Sequence, residues 1–551
     1  MRTDFPAIPQ IHPHPNPLPE GEGASGVGIC ESPKDSLEKL SRGEFKHLNR
    51  SHVVGREHPD WRLGPCPVDR LWTVTLHYHE WAYHLAQADG ETGGVNTEAA
   101  ALLRHYVDDW IETCRLEAPG ARELAWNAYA IATRIGWWIR SWQIINGSGI
   151  TTKPEFRDRF LRSLWQQASY LRKHLEYDLR ANHLLRDAVG LAWAGRFFDE
   201  PEARERSREA ARIALEQASE QVLPDGSHFE RSPMYHIHVM EDFLLLSLLL
   251  EEPDVRRVLQ DVWRRMAEVL TWMRHPDGRI PLLNDAALNG ACSPQDMLRA
   301  GTHIGVEVPE GPRQGGKLFP DFGLFTWHGD PWTVFFDVGK IGPKYQLGHG
   351  HADTLTVEAS FRGNRILVDP GTWGYDMDAR REYDRSTAAH NTVCVDGMNS
   401  SEVWHIFRCG RHAHPRNVHV QMDSSGFRAG GSHTGYSHLP GRPVLTRVVT
   451  LHDNGRLEVI DRCEGKGVHN LTGGWLLDPR WDAENAGSVW RVSNPKCGSV
   501  SIQVKGPQSL ELSESPRWYH PEFGKELTTT RLQWVYQGLL PVEVTTIFAP
   551  A

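Results

Sequence analysis

The sequence predicts an α+β multidomain protein: a bundle or ring of helices followed by an antiparallel β-sandwich. Three observations carry that prediction. Apolar residues recur at helical spacing from Asp69 to about residue 274. After about Gly315 the period switches to two, in short runs closed by Gly, Asp or Pro. At 551 residues with 40% hydrophobic content, the chain exceeds what one core normally organises.

Residues 1–60 read as a disordered or extended leader. The stretch "FPAIPQIHPHPNPLPEGEGASGVG" is rich in Pro and Gly and has too few large apolar residues to bury a core. The helical domain is placed at 61–312, opening with "DRLWTVTLHYHEWAYHLAQA", "NTEAAALLRHYVDDWIETC", "ARELAWNAYAIATRIGWWIRSWQII", "KPEFRDRFLRSLWQQASYLRKHLE" and "NHLLRDAVGLAWAGRFF". Further helices are expected at about 202–220, 233–251 and 253–274, split by short Pro, Gly or Asp breaks. No fixed-period repeat runs through these helices, which argues for consecutive antiparallel pairs over a solenoid. The β domain is placed at 313–551. Its alternating runs are "FGLFTWHG", "WTVFFDVG", "DTLTVEASF", "RILVDPG", "HNTVCVDG", "VLTRVVTLHD", "RLEVIDRCEG", "LTGGWLLD", "SVSIQVKG" and "VEVTTIFAP".

Composition excludes several classes. No apolar run approaches the roughly 18–20 residues of a membrane span; "FLLLSLLL", the longest, ends at "EEPD" and reads as a buried helix. A formal net charge of -10 argues against nucleic acid as a partner. Eight cysteines without a CxxC pair argue against a disulfide scaffold and a thiolate zinc site, leaving buried thiols. The first thirty residues lack the cationic start and apolar stretch of a secretory signal, so the expected location is cytoplasmic as written, or secreted or periplasmic from a different start.

Two helical segments concentrate chemistry. In "ANHLLRDAVG", Asn182 and His183 open a helix whose apolar residues face inward; a capping role is the bland reading for the asparagine. In "DGSHFERSPMYHIHVMEDFL", His228, Glu230, Arg231, Tyr235, His236 and His238 crowd the start of another helix. A tyrosine titrates near pH 10 unperturbed, so proton transfer at neutral pH asks for a cation beside it, and Arg231 lies one turn away.

The stretch "GHGHADTLTVEASFRGNRILVDPGT" sets His349 and His351 one residue apart. Read as a strand, it puts both on one face, with Asp369 ending the next strand and His390 starting a third. A His, Asp, His set on neighbouring strands is a candidate divalent-metal site for zinc or manganese. The competing reading is a hydrogen-bonded histidine pair bracing a strand edge.

At these residues the sequence resembles the heparinase II/III-like polysaccharide lyases. The motifs are "DGSHFERSPMYH", "GHGHADTLTVEASFRGNRILVDPGTWGY", "REYDRSTAAHNTVCVDGMNSSEVW" and "FRCGRHAHP", and the similarity runs from about Asp69 to the C-terminus. It implies an incomplete α/α toroid followed by an antiparallel β-sandwich, with the active site in the cleft between them. It also implies β-elimination at uronic acid residues of an anionic polysaccharide. Asn182 and His183 then fall where the family holds the uronate carboxylate, Tyr235 on its catalytic tyrosine and His349 on its catalytic histidine. His351, Asp369 and His390 fall on metal ligands that some members use, with Zn2+ or Mn2+ bracing the strands beneath His349 as a structural ion.

The chemistry explains the residue types. A C5 proton next to a carboxylate is barely acidic, so the carboxylate must be neutralised, a base must take the proton, and an acid must protonate the departing O4. Tyr235 is assigned as acid, and as base for one C5 epimer, with His349 as base for the other; Tyr345 is the rival for that second role. Arg231, Arg381, Arg385, Arg408 and Arg411 are candidates to bind carboxylates or sulfates. Glu402 and Trp404 are candidates to contact sugars. The expected partner is an anionic polysaccharide, led by heparan sulfate, chondroitin sulfate and hyaluronan, with alginate or an exopolysaccharide next; neither nucleic acid nor membrane is expected, and the chain is expected as a monomer or homodimer. Two rivals stay open: a glycoside hydrolase using carboxylates such as Glu230, Asp285 and Glu402, and a catalytically silent polysaccharide-binding protein.

Overall fold

The computed structural model describes residues 33–62, 64, 69–91, 97–145, 154–487 and 489–551. Residues 1–32 of the expected leader lie outside these. The chain forms two compact units: one takes in the chain up to Glu220 together with Val239–Trp263, and the other Gln221–His238 together with Arg264–Ala551.

In the helical unit, Glu80–Glu91, Ala128–Ile145 and Ala181–Phe197 pack on one another in sequence, while Glu98–Thr113 packs against Pro154–Lys173. Alternate helices thus form two layers, the arrangement of an α/α toroid. Sequence sets the layer. Ala181–Phe197 is buried nearly all round, whereas Pro154–Lys173 buries Phe156, Phe160, Leu164, Ala168 and Leu171 and keeps a polar face outward. Gly190 lets Ala181–Phe197 approach Ala128–Ile145, because a Cβ there would lie 2.7 Å from the Ala132 Cα.

The leader expectation is corrected within the described residues. Pro33–Ser41 is a helix and Glu44–His47 pairs antiparallel with Arg50–Val53. The cause is burial: Leu40, Phe45, Val54 and Trp61 are core residues, with the Phe45 ring 6.0 Å from Trp61 and 5.8 Å from Trp81. Each such side chain contributes roughly 1.5–3 kcal/mol, enough to order a segment that composition alone reads as solvated.

Among the described residues the second unit carries four antiparallel sheets, of five, eight, four and two strands. All ten alternating runs contain strands. Their inward residues build one core that includes Phe325, Trp327, Trp332, Val393, Leu445 and Trp475, joined by Trp490 of Val489–Asn494 and Leu532 and Trp534 of Lys525–Leu539. The contacts divide the chain elsewhere than at 312/313, because residues 264–312 are bonded into the sheets. His275 bonds Ser360 (2.8 Å), Arg365 bonds Asp277 (2.7 Å), and the Leu282 N–H donates to Glu358 (2.5 Å).

Among the described cysteines, Cys114, Cys394, Cys463 and Cys497 are buried free thiols. No helix among the described residues is long and apolar enough to cross a membrane.

Candidate active site

The β unit assembles most of the candidates. Helix Pro233–Leu249 begins with Ser232, whose hydroxyl accepts the Tyr235 N–H (3.2 Å), and with Pro233 at the first helical position. Just before it the chain turns through Arg231 in the left-handed region (φ 59°), separating the direction of Glu230 from that of Tyr235. The segment Asn284–Asp285 fastens this turn to the histidine loop. The Asn284 side chain donates to the Arg231 carbonyl (3.0 Å) and accepts the His351 N–H (2.9 Å), while the Asp285 N–H donates to the His349 carbonyl (2.9 Å).

The result is a compact pair. The imidazole of His349 lies parallel to the Tyr235 ring, centroids 3.9 Å apart and planes within 12°. His349 Nδ1 is 2.5 Å from Glu230 Oε2, and Glu230 is buried. A carboxylate only accepts, so it fixes the imidazole proton on Nδ1 and leaves the lone pair on Nε2. The Tyr235 hydroxyl is 2.9 Å from that of Tyr375. Burial, then Tyr375, Asp285 and Glu230, push the Tyr235 hydroxyl well above the usual phenol range, so it keeps its proton. Burial followed by Asp285 does the same for Tyr375.

Several expectations are corrected. His349 and His351 do not share a strand face: the strand is Val357–Phe361, and both histidines lie in the loop before it. That loop is held by side chains in place of a ladder, and Gly350 is pressed against Ile341, where a Cβ would lie 2.4 Å from Cγ1. His349 turns to Glu230 and Tyr235, whereas His351 turns to Asp285 (Nε2 to Oδ1, 2.8 Å). Arg231 does not supply a field for Tyr235, because it donates to the carbonyls of Phe229 (2.8 Å), Phe322 (3.0 Å) and Asp321 (3.0 Å). Nor do Arg381 and Arg385 face substrate. Arg381 makes a two-pronged pair with Asp285 and donates to the Ile406 carbonyl, and Arg385 donates to the carbonyls of Gly350 (3.1 Å), His405 (3.1 Å) and Ile406 (3.2 Å). Both arginines are buried braces of the loop that follows.

That loop is a hairpin in which Val403–Trp404 pairs with Arg408–Cys409. Glu402, Trp404, Phe407 and Arg408 are exposed, and the Phe407 ring is 6.0 Å from His349 and 5.1 Å from Tyr375. Arg411 is committed to the Gly435 carbonyl (2.7 Å). Tyr345 is exposed, with its ring 6.1 Å from that of Phe229. The phenol beside Tyr235 is that of Tyr375.

The metal candidates converge. Ligand atoms of His351, Asp369 and His390 all lie within 4.8 Å of one another, and all three residues are buried. His390 Nδ1 is 2.7 Å from Asp369 Oδ2, while His390 Nε2 and His351 Nδ1 are buried without a hydrogen-bond partner. Two orphaned imidazole nitrogens beside a carboxylate fit a divalent cation. Burial also keeps both rings neutral, lowering His351 to about 3 and His390 to about 4, and neutral imidazole is the ligating form. Burial pushes the Asp369 carboxyl up, a shift that a cation would oppose.

Asn182 and His183 belong to the helical unit. The residue preceding their helix is Arg180, so Asn182 is not its cap; its Oδ1 is buried without a partner. His183 Nδ1 is 3.2 Å from Glu176 Oε2, and its ring lies 5.0 Å from Tyr129.

Tyr375 and the pairing roles of Glu230 and Asp285 escaped the sequence reading. Tyr375 ends the motif "DPGTWGY", and that proximity to Asp369 is the one signal in the sequence that marks it.

A helical toroid followed by antiparallel β-sheets, with His349 paired to the buried Glu230 and stacked on Tyr235, is an enzyme architecture of the α+β multidomain class. The chain belongs to the heparinase II/III-like family: the Heparinase II/III N-terminus matches residues 40–300, and the Heparinase II/III-like C-terminal domain matches 311–546. It is 24% identical to a heparin-sulfate lyase of Bacteroides stercoris, over 85% of this chain and 73% of that protein. It is 25% identical to one of Bacteroides thetaiotaomicron, over 62% of this chain and 54% of that protein, so the chain spans about half of that relative's length. A crystal structure of heparinase III superposes with a TM-score of 0.80 at 17% identity, over 96% of this chain and 86% of that one.

Proposed function

We propose that this protein is a polysaccharide lyase that cleaves a uronic-acid-containing glycosaminoglycan, of the heparan sulfate class, by β-elimination. The observation that carries the proposal is the stacked Tyr235–His349 pair, with Glu230 fixing one member and Tyr375 the other. His349 Nε2 takes the C5 proton, the electrons of that bond form the C4–C5 double bond, the C4–O4 bond breaks, and Tyr235 Oη gives its proton to O4. The Tyr375 hydroxyl then donates to the Tyr235 phenolate. The imidazolium returns a proton to the phenolate to reset the pair.

The raised Tyr235 hydroxyl suits it to the acid role. Burial disfavours the phenolate that a tyrosine base requires, so His349 is the base in this reading. Asn182 and His183 are read as the groups that bind the uronate carboxylate, as the family resemblance implies. Trp404 and Arg408 are read as sugar and sulfate contacts, because the hairpin leaves both exposed. The hydrolase reading is disfavoured by the commitments of its carboxylates: Glu230 is bonded to His349, and Asp285 to Arg381 and His351.

His351, Asp369 and His390 would hold a zinc or manganese ion that crosslinks the segments carrying them. Incubation with heparan sulfate, chondroitin sulfate, hyaluronan and alginate, followed by ultraviolet absorbance of the unsaturated product, tests the function. Absorbance growing with heparan sulfate supports it, and no absorbance with any uronate polymer rejects it.

A further inference from the structure

Asp285 is completely buried and touches two systems at once. Its Oδ1 accepts from His351 Nε2 at 2.8 Å, and its two oxygens together receive the Arg381 guanidinium, with Oδ2 at 2.9 Å. The same guanidinium lies 5.0 Å from the centroid of the Tyr375 ring and donates to the carbonyl of Gly348, the residue before His349 (3.4 Å). Tyr375 in turn shares a hydrogen bond with Tyr235.

We propose that Asp285 is a positioning residue that couples the His351–Asp369–His390 triad to the Tyr235–Tyr375 pair. The coupling works through a tautomer. His351 Nδ1 is the nitrogen left without a partner at the triad, so a cation bound there requires the ring proton on Nε2, where it donates to Asp285. Asp285 thus receives one fixed donor from the metal side and two from Arg381. Loading the triad locks the carboxylate and, through it, the guanidinium that lies against Tyr375 and braces the His349 loop. Asp285 holds that tautomer in either state, so losing the ion releases only the Nδ1 side of the ring and loosens that set. In the other direction, loss of the carboxylate removes the acceptor that orients a ligand, an effect worth about 10–100-fold in metal affinity.

This inference rests on the reading of the triad as a metal site, and the experiment separates the two. Zinc and manganese affinities are measured by calorimetry on the metal-stripped full chain and on Asp285→Asn. In parallel, the wild-type chain carrying tyrosine labelled with carbon-13 at Cζ is followed by NMR as the ion is added, with Tyr375→Phe assigning its resonance. The expected results are affinity about 10–100-fold weaker in Asp285→Asn, and movement of the Tyr375 and Tyr235 resonances on loading. Should Asp285→Asn not fold, the wild-type NMR measurement decides alone. Unchanged affinity in the variant, or resonances that stay in place while the ion binds, overturns the coupling and leaves the metal site standing. A wild-type chain that binds neither ion overturns both.

Discussion

The His349 imidazole stacks on the Tyr235 ring at 3.9 Å, with the two planes within 12° of parallel. One ring comes from a loop ahead of the β-strand Val357–Phe361, and the other from the first turn of a helix. The stack sets a neutral acid beside a base whose lone pair is aimed by Glu230, and that juxtaposition is what an elimination needs.

Tyr235→Phe keeps the stacked ring and removes the proton donor. Turnover is expected to fall by about 10²–10⁴-fold. The melting temperature should move little, since one hydrogen bond contributes about 1 kcal/mol. Product absorbance and calorimetry check the two halves, and near wild-type turnover would remove Tyr235 from the chemistry.

Glu230→Gln replaces a pure acceptor at His349 Nδ1 with a side chain that also donates. The amide favours the tautomer with its proton on Nε2, which cannot accept the C5 proton. The expected kinetic signature is kcat lower by about 10²-fold or more with KM nearly unchanged. Steady-state kinetics on the folded variant is the check, and a pure KM effect would argue against the tautomer argument.

Four buried histidines make the β unit acid-sensitive. Burial lowers His228 to about 3, and His236, His275 and His433 to about 4. Unfolding returns each to near 6.5, so between about pH 6.5 and 4 the unfolded chain binds protons that the folded chain does not. Stability is therefore fully present above pH 6.5 and falls as pH drops, by about 1.4 kcal/mol per histidine per pH unit. Melting temperatures across that range should decline steeply, and a flat profile would contradict the burial argument.

Chelation should lower the melting temperature, and zinc or manganese should restore it, because ions that bind only the folded chain stabilise it. His390→Ala should abolish the response to both. Calorimetry with and without chelator decides, together with elemental analysis of the purified chain.

Trp404→Ala should raise KM several-fold while leaving kcat and stability nearly unchanged, because the ring is 51% exposed and gives the fold little burial. A drop in melting temperature with unaltered KM would assign the ring to packing.

Much of the architecture was legible because it is local. Each alternating run held a strand, and Pro201–Gln221, Pro233–Leu249 and Pro253–Trp272 fall within two residues of their expected bounds. Strand Pro415–Met422 escaped because it is largely exposed, which leaves polar residues on both faces and no alternation to read. Tyr235, His349 and the His351–Asp369–His390 triad were marked by dense polar motifs. Tyr375 and Asp285 were not, since their partners lie far along the chain: 140 residues separate Tyr235 from Tyr375, and 96 separate Asp285 from Arg381. The shared strand face for His349 and His351 failed for a related reason. Asn284, Asp285, Arg381 and Arg385 hold that loop, and none is near it in sequence.

The most direct test of the elimination chemistry is the mass of the fragments released from a defined heparan sulfate oligosaccharide. Elimination adds nothing, so the account predicts fragments whose masses sum to that of the parent, with a double bond in the new terminal uronate. Fragments whose masses sum to the parent plus one water, without the double bond, would show hydrolysis and contradict it.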